Sequence, residues 1–153
     1  MLLVKEAGQR LNAPTPNLTM SRLNPQSSIN QTEPPLVFVV DDNPALAEMT
    51  EMLLQSAGYQ TERFSDPAQA LQAMREAERK PVLLVTDYDM GTMTGLELVE
   101  SSQRFHPDLK TILLSGTVGA AVILAHPVKV NKFLGKPYQS SELTRLAAEL
   151  LNP

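Results

Sequence analysis

The chain has 153 residues, of which 42% are hydrophobic and 20% are charged, which suits one soluble domain of ordinary size. Cysteine is absent and histidine occurs only twice. This excludes disulfides, thiolate catalysis and cysteine-ligated metals, and it leaves a histidine-rich metal site short of ligands. The formal net charge of −4 argues against a nucleic-acid partner, because phosphate contacts require a basic face.

Membrane insertion and secretion are also disfavoured by the sequence. The longest apolar run covers residues 120–125, whereas a bilayer span needs about 18 residues. The first four residues are apolar, but Lys5 and Glu6 follow at once, so the core of a signal peptide is missing. We therefore expect a cytoplasmic protein that makes no membrane contact.

Residues 1–35 differ in composition from the rest of the chain. They hold five of the twelve prolines, no aromatic residue and a local charge of +1. Such a segment cannot bury enough apolar area to offset the entropy of ordering it, which predicts a disordered leader. Met20 is an alternative start of translation. Residues 36–153 contain every Phe and Tyr and carry ten basic and fifteen acidic residues, so we expect the folded domain there.

From Leu36 onwards the pattern alternates strands with helices. Apolar runs predict buried strands at residues 36–40, 82–85 and 111–114, with further strands at 59–64 and 132–134. Helical spacing predicts four amphipathic helices between and after them. Their apolar positions are Leu46, Met49, Leu53 and Ala57; Ala70, Leu71, Met74 and Ala77; Leu98, Val99, Ser102 and Phe105; and Leu143, Leu146, Ala147 and Leu150. Five short β-α units predict a parallel sheet with helices on both faces.

Polar residues follow the strands of this predicted sheet, where ligands bind in such folds. Asp41 and Asp42 follow the first strand, Asp87 the third, Ser115 the fourth and Lys136 the fifth. Two like charges about 4 Å apart cost about 4 kcal/mol at an effective dielectric constant of about 20. Either one carboxylate is therefore protonated or a cation lies among them, and oxygen ligands favour Mg²⁺. With Lys136 and Ser115 to bind phosphate oxygens, the pattern indicates phosphoryl transfer onto a carboxylate, with Asp87 central.

Each of these residues also has a structural interpretation. An Asp-Asp pair before a helix commonly caps that helix. Asp87, Ser115 and Lys136 could each belong to an ordinary turn or loop. Their occurrence together at the ends of four strands favours a site.

Five segments of the chain form one recognisable pattern: Val39-Val40-Asp41-Asp42-Asn43, Asp87-Tyr88-Asp89-Met90, Gly95-Leu96-Glu97-Leu98, Leu113-Leu114-Ser115-Gly116 and Lys136-Pro137-Tyr138. In these segments the chain resembles the receiver domain of two-component response regulators, from residue 36 to about residue 151. The resemblance implies a flavodoxin-like, doubly wound sheet with strand order 2-1-3-4-5.

The resemblance implies that Asp87 accepts a phosphoryl group from a histidine kinase or a phosphotransfer protein. Asp42, Asp87 and the backbone carbonyl of Asp89 would ligate Mg²⁺, with Asp41 acting mainly through a bound water. The protein would then catalyse only its own phosphorylation and dephosphorylation, through Asp87, Lys136 and Ser115, and would not be an enzyme in the ordinary sense.

The resemblance also implies roles for residues that bind the phosphoryl group and respond to it. Ser115 and Lys136 would bond the phosphoryl oxygens, and Phe133 occupies the aromatic switch position three residues before the lysine. A plain core aromatic is an equally good interpretation of Phe133. Pro137 would follow a cis peptide bond.

The chain departs from the family pattern at two places: the loop that follows Asp87, and the fourth helix, which lies on the face that receivers commonly use to signal. Gly91 stands where the family usually has proline, which suggests a looser loop. The fourth helix, at residues 119–125, is uncharged and is truncated by Pro127. Its apolar surface suggests contact with a downstream protein, or formation of a homodimer, through residues 117–138.

Two other functions are left open. Asp87-Tyr88-Asp89-Met90-Gly91-Thr92 resembles the nucleophile loop of haloacid-dehalogenase-like phosphohydrolases, although Met90 interrupts the pattern. A pseudo-receiver scaffold that takes no phosphate is the second alternative. Because only Asn152 and Pro153 follow the last helix, we expect a stand-alone receiver that acts by protein contact or phosphorelay.

Overall fold

Strands and helices alternate strictly along the part of the chain that the computed structural model describes, residues 32–152. The predicted leader lies outside the described residues, except for its last four. The strands are β1 (Leu36–Val40), β2 (Gln60–Phe64), β3 (Leu83–Asp87), β4 (Lys110–Ser115) and β5 (Lys132–Gly135). The helices are α1 (Pro44–Ser56), α2 (Pro67–Glu76), α3 (Gly95–Phe105), α4 (Ala120–Leu124) and α5 (Ser140–Leu151).

The five strands form one parallel sheet in the order β2-β1-β3-β4-β5, which confirms the predicted fold class. The chain leaves β1 for β2 on one side and returns to β3 on the other. In sheets of this kind, ligands bind beyond the carboxyl ends of the strands at this switch point. Val40 pairs with Thr86, and Asp87 pairs with Leu114. The residues that end β1, β3 and β4 therefore lie side by side.

The core has a layer on each face of the sheet. Alternate residues of β1 point to opposite faces: Val37 and Val39 pack with residues of α1 and α5, whereas Phe38 and Val40 pack with residues of α2 and α3. All residues of β1 and β3 are buried, as expected for central strands covered on both sides. The edge strand β2 is largely polar. None of the helices within residues 32–152 is long and apolar enough to cross a membrane.

The buried face of α1 differs from the predicted one. The buried residues are Ala47, Thr50 and Leu54, one position after the predicted apolar stripe. Met49, predicted to face inwards, is 48% exposed. The physical reason is that a polar residue joins the core where it finds a partner: the Thr50 hydroxyl lies 3.4 Å from the hydroxyl of Tyr138.

The predicted inward position of Phe105 is also wrong. Phe105 ends α3 and is 42% exposed. The guanidinium of Arg75, from α2, lies 4.6 Å from the centroid of its ring. A cation over an aromatic face is favourable at the surface, so Phe105 is covered by a charged side chain and does not enter the core.

Candidate functional site

Five of the predicted site residues meet at the carboxyl edge of the sheet. Asp41 follows β1 directly, Asp87 ends β3, Ser115 ends β4 and Lys136 follows β5. One carboxylate oxygen from each of Asp41, Asp42 and Asp87 lies within 4.8 Å of the other two. The parallel topology therefore brings three acids, one base and one hydroxyl to the same edge.

Lys136 is the cation of this cluster. Its Nζ lies 2.7 Å from Oδ1 of Asp87 and 3.6 Å from Oδ2 of Asp41. Burial lowers the pKa of the Lys136 ammonium, but the hydrogen bond to Asp87 and the charge of Asp41 raise it by more, so the pKa exceeds its ordinary value of 10.5. The side chain therefore stays charged at neutral pH.

Asp41 is the most buried of the three acids, at 4% exposure. Burial raises the pKa of its carboxyl above the ordinary value of 3.8, and the neighbouring carboxylates raise it further. The backbone N–H of Asn43 and the ammonium of Lys136 oppose this rise. Ionised Asp41 is thus held under electrostatic stress, which a bound cation would relieve.

The capping interpretation of the acidic pair is wrong for the helix that follows it. The N-cap of α1 is Asn43, whose side-chain oxygen accepts hydrogen bonds from the N–H groups of Ala45 and Leu46 at 3.0 and 3.2 Å. Asp41 contributes by accepting a bond from the N–H of Asn43 at 2.9 Å. Because Asn43 satisfies the first turn, the exposed carboxylate of Asp42 lies at the site without a capping role.

Ser115 organises the loop that follows β4. Its Oγ accepts hydrogen bonds from the N–H groups of Val118 and Thr117, at 2.9 and 3.2 Å. The hydroxyl of Thr117 donates in turn to the side-chain carboxylate of Asp89. The side chain of Asp89 therefore bridges two loops outside the acidic cluster, a contact that no sequence pattern indicated.

Gly95 is a residue whose importance the sequence reasoning missed. A Cβ at this position would lie 2.4 Å from the backbone oxygen of Asp87 and 2.5 Å from Cδ1 of Leu113. Only glycine lets the first turn of α3 approach the end of β3 so closely. The sequence did offer one indication: a glycine at the first position of a predicted helix, shortly after the candidate site residue Asp87.

The remaining predicted positions lie around this cluster. The Lys136–Pro137 peptide bond is cis, as the resemblance implied. Phe133 is partly buried and packs against the cluster formed by Leu96, Leu113 and Ile123. Gly91 adopts a φ of 77°, a left-handed conformation that favours glycine over the proline usual there.

Comparison with known proteins gives one consistent result. The response regulator receiver domain family matches residues 37–148 of this chain. The DNA-binding response regulator MtrA of Mycolicibacterium smegmatis is 30% identical over 115 residues, which cover 74% of this chain and 50% of that protein. The sensor kinase CckA of Brucella abortus is 30% identical over 116 residues, covering 75% of this chain and 12% of that protein. The chain thus spans half or less of these curated relatives.

Solved structures show the same fold. The chemotaxis protein CheY4 of Vibrio cholerae has a TM-score of 0.70 to this chain at 24% identity, covering 77% of this chain and 99% of that one.

Proposed function

The chain belongs to the response regulator receiver domain family, and from this membership and the cluster at the sheet edge we propose that Asp87 accepts a phosphoryl group. The donor is the phosphohistidine of a histidine kinase or of a phosphotransfer protein. The observation that carries the proposal is the contact of Asp87 with Lys136, at 2.7 Å, within a group of three carboxylates.

The chemistry assigned to the side chains follows from their charges. A carboxylate oxygen of Asp87 attacks the phosphorus, and the bond from phosphorus to the histidine nitrogen breaks. The ammonium of Lys136 and the hydroxyl of Ser115 bond the phosphoryl oxygens, where charge is concentrated during transfer. Asp87 is 8% exposed, so little water competes for these contacts.

The acidic cluster also fits Mg²⁺, which binds oxygen ligands and retains water. Asp42, Asp87 and the backbone carbonyl of Asp89 would hold the ion, and Asp41 would act through a bound water. When bound, Mg²⁺ neutralises charge on the carboxylates and the phosphoryl group. The carboxylate oxygens within 4.8 Å of one another support this assignment.

The signal is proposed to leave through residues 117–138. Phe133 is the proposed switch residue, and its packing beside Ile123 of α4 supports coupling between the site and this face. Val122 and Leu124 are 59% and 76% exposed. A downstream protein is the proposed partner there, with a second copy of the chain as the alternative.

Labelling with a small phosphodonor tests the proposed function. The full chain is incubated with acetyl phosphate and Mg²⁺ and analysed by intact and peptide mass spectrometry. One adduct of about 80 Da, located on Asp87, is expected from a covalent aspartyl phosphate. Asp87→Asn should abolish the adduct, whereas Asp89→Asn should retain it. Continuous hydrolysis of the donor would favour the phosphohydrolase alternative, and absence of both would favour the pseudo-receiver.

A further inference from the structure

A groove opens beside the proposed phosphoacceptor, between α1 and the segment that follows β5. Its volume is about 370 Å³, which lies within the range of about 300–1,000 Å³ that is usual for small-molecule sites. Apolar walls come from Leu46, Met49, Pro137 and Tyr138, and charged groups from Asp41 and Lys136.

The groove is continuous with the site around Asp87. Lys136 lines the groove and at the same time places its Nζ 2.7 Å from Oδ1 of Asp87. Asp41, which also lines the groove, has its Oδ2 3.6 Å from the same Nζ. A phosphoryl group held by Lys136 would therefore lie at the end of the groove that Lys136 lines.

The walls of the groove include Tyr138, which is fixed by its contacts, and Met49, which has a flexible side chain. Tyr138 packs against the core cluster under α1 and α5, and its hydroxyl lies 3.4 Å from Oγ1 of Thr50. Met49 is 48% exposed, and its flexible thioether can adjust to ligands of different shape. The charged end of the groove carries the ammonium of Lys136 and the carboxylate of Asp41, and the rest of its surface is apolar. With the carboxylates neutralised by the proposed Mg²⁺, Lys136 makes this end suit an anionic head, and the apolar walls suit an apolar body.

We propose that this groove binds the apolar acyl group of a small acyl phosphate, so that Met49 and Tyr138 determine the specificity for low-molecular-weight phosphodonors. This inference rests on the proposed function. A carboxylate oxygen of Asp87 attacks the phosphorus, the bond from phosphorus to the acyl oxygen breaks, and the electron pair leaves with the acyl group as a carboxylate. No proton transfer is needed. Donors with an aromatic acyl group are preferred over acetyl phosphate.

Two unreactive phosphonates separate groove binding from phosphoryl transfer. Benzylphosphonate and methylphosphonate share the anionic head and differ in the ring, and their affinities for the full chain with Mg²⁺ are measured by calorimetric titration. The ring should strengthen binding about tenfold, as apolar groups do in hydrophobic pockets. Met49→Gln should remove most of this preference and Met49→Leu should retain it.

Met52→Gln is the matched control. Met52 belongs to the same helix, is 62% exposed and is not among the residues that line the groove, so its variant should keep the wild-type preference. Equal affinity of the wild type for the two phosphonates, or a preference that survives Met49→Gln, overturns the proposal, because the ring then binds elsewhere or not at all.

Labelling of Asp87 by acetyl phosphate on the same samples keeps the two proposals apart. Labelling of Asp87 without a preference for the ring contradicts the proposed role of the groove and leaves the proposed function intact. A preference for the ring without labelling supports the groove as a ligand site and contradicts the proposal that Asp87 accepts a phosphoryl group.

Discussion

The ammonium group of Lys136 lies 2.7 Å from Oδ1 of Asp87. The two side chains are 23% and 11% exposed, so water screens their attraction only partly. This one cation offsets the repulsion within a group of three carboxylates. It is also the group that we propose bonds the phosphoryl oxygens, so the ion pair has to rearrange when the phosphoryl group arrives.

Loss of this cation should destabilise the fold when Mg²⁺ is absent. We expect Lys136→Ala to lower the free energy of unfolding by about 1–3 kcal/mol, because poorly solvated carboxylates lose their partner. Urea unfolding with a chelator present measures the change. Lys132→Ala is the control: Lys132 pairs with Glu149 at 3.1 Å on the exposed surface, where water and salt screen such pairs and they contribute little to stability. Equal stability of the two variants would contradict this prediction.

Mg²⁺ should stabilise the fold through Asp42. At ten times the dissociation constant, binding adds about 1.4 kcal/mol to the free energy of unfolding, or about 3–8 °C in Tm for a domain of this size. Asp42→Ala should lose most of this response, and it should be more stable than the wild type without Mg²⁺ because one repelling carboxylate is gone. Thermal melts with and without Mg²⁺ measure both effects.

Asp66→Ala is the control for that experiment. Asp66 caps α2 by accepting a hydrogen bond from the N–H of Ala68 at 2.9 Å. Its removal should cost about 1 kcal/mol and leave the response to Mg²⁺ unchanged. If Asp42→Ala behaves in the same way, the acidic cluster is not the metal site.

Gly95→Ala should damage the phosphoacceptor. The added Cβ would lie 2.4 Å from the backbone oxygen of Asp87, so the end of β3 or the start of α3 must move. We expect a loss of about 2 kcal/mol or more in stability together with slower labelling of Asp87. Gly119→Ala is the control, since no described residue other than its two chain neighbours lies within 4 Å of its added Cβ. Normal labelling of Gly95→Ala would show that the close approach is not required.

Ser102→Ala should stabilise the protein. The hydroxyl of Ser102 is fully buried and has no hydrogen-bond partner among the described residues. Removing it should raise the free energy of unfolding by about 1 kcal/mol. Thr111→Val is the opposite case. The Thr111 hydroxyl accepts a hydrogen bond from the N–H of Asn131 at 3.1 Å, and loss of this bond should lower the free energy of unfolding. Urea unfolding of both variants should give changes of opposite sign.

Removal of residues 1–30 should leave the domain intact. The composition of this segment offers few apolar groups for burial, and we propose that the folded domain comprises residues 36–153. Tm and labelling of Asp87 should match those of the full chain. A fall of more than about 2 kcal/mol in the free energy of unfolding, the size of a buried-contact effect, would place part of the leader in the fold.

The sequence alone determined the elements and the edge at which the site lies. The apolar runs at residues 36–40, 82–85 and 111–114 predicted the central strands β1, β3 and β4, and the short β-α units favoured a parallel sheet. The ends of parallel strands share one edge, so locating the strands placed Asp41, Asp87 and Lys136 on that edge, while the strand order that brings them close was implied by the family resemblance. The amphipathic helices were predicted from apolar residues that recur at helical spacing.

The tertiary structure decided what depends on contacts between distant residues. Successive residues of a helix differ by about 100° around its axis, so a shift of one position turned the buried face of α1 from Met49 to Thr50, whose hydroxyl has a partner in Tyr138. Phe105 stays at the surface because Arg75 of another helix covers it. The need for glycine at position 95 arises only when α3 meets the end of β3. Periodicity describes one element at a time, whereas each of these features depends on the distance between two elements.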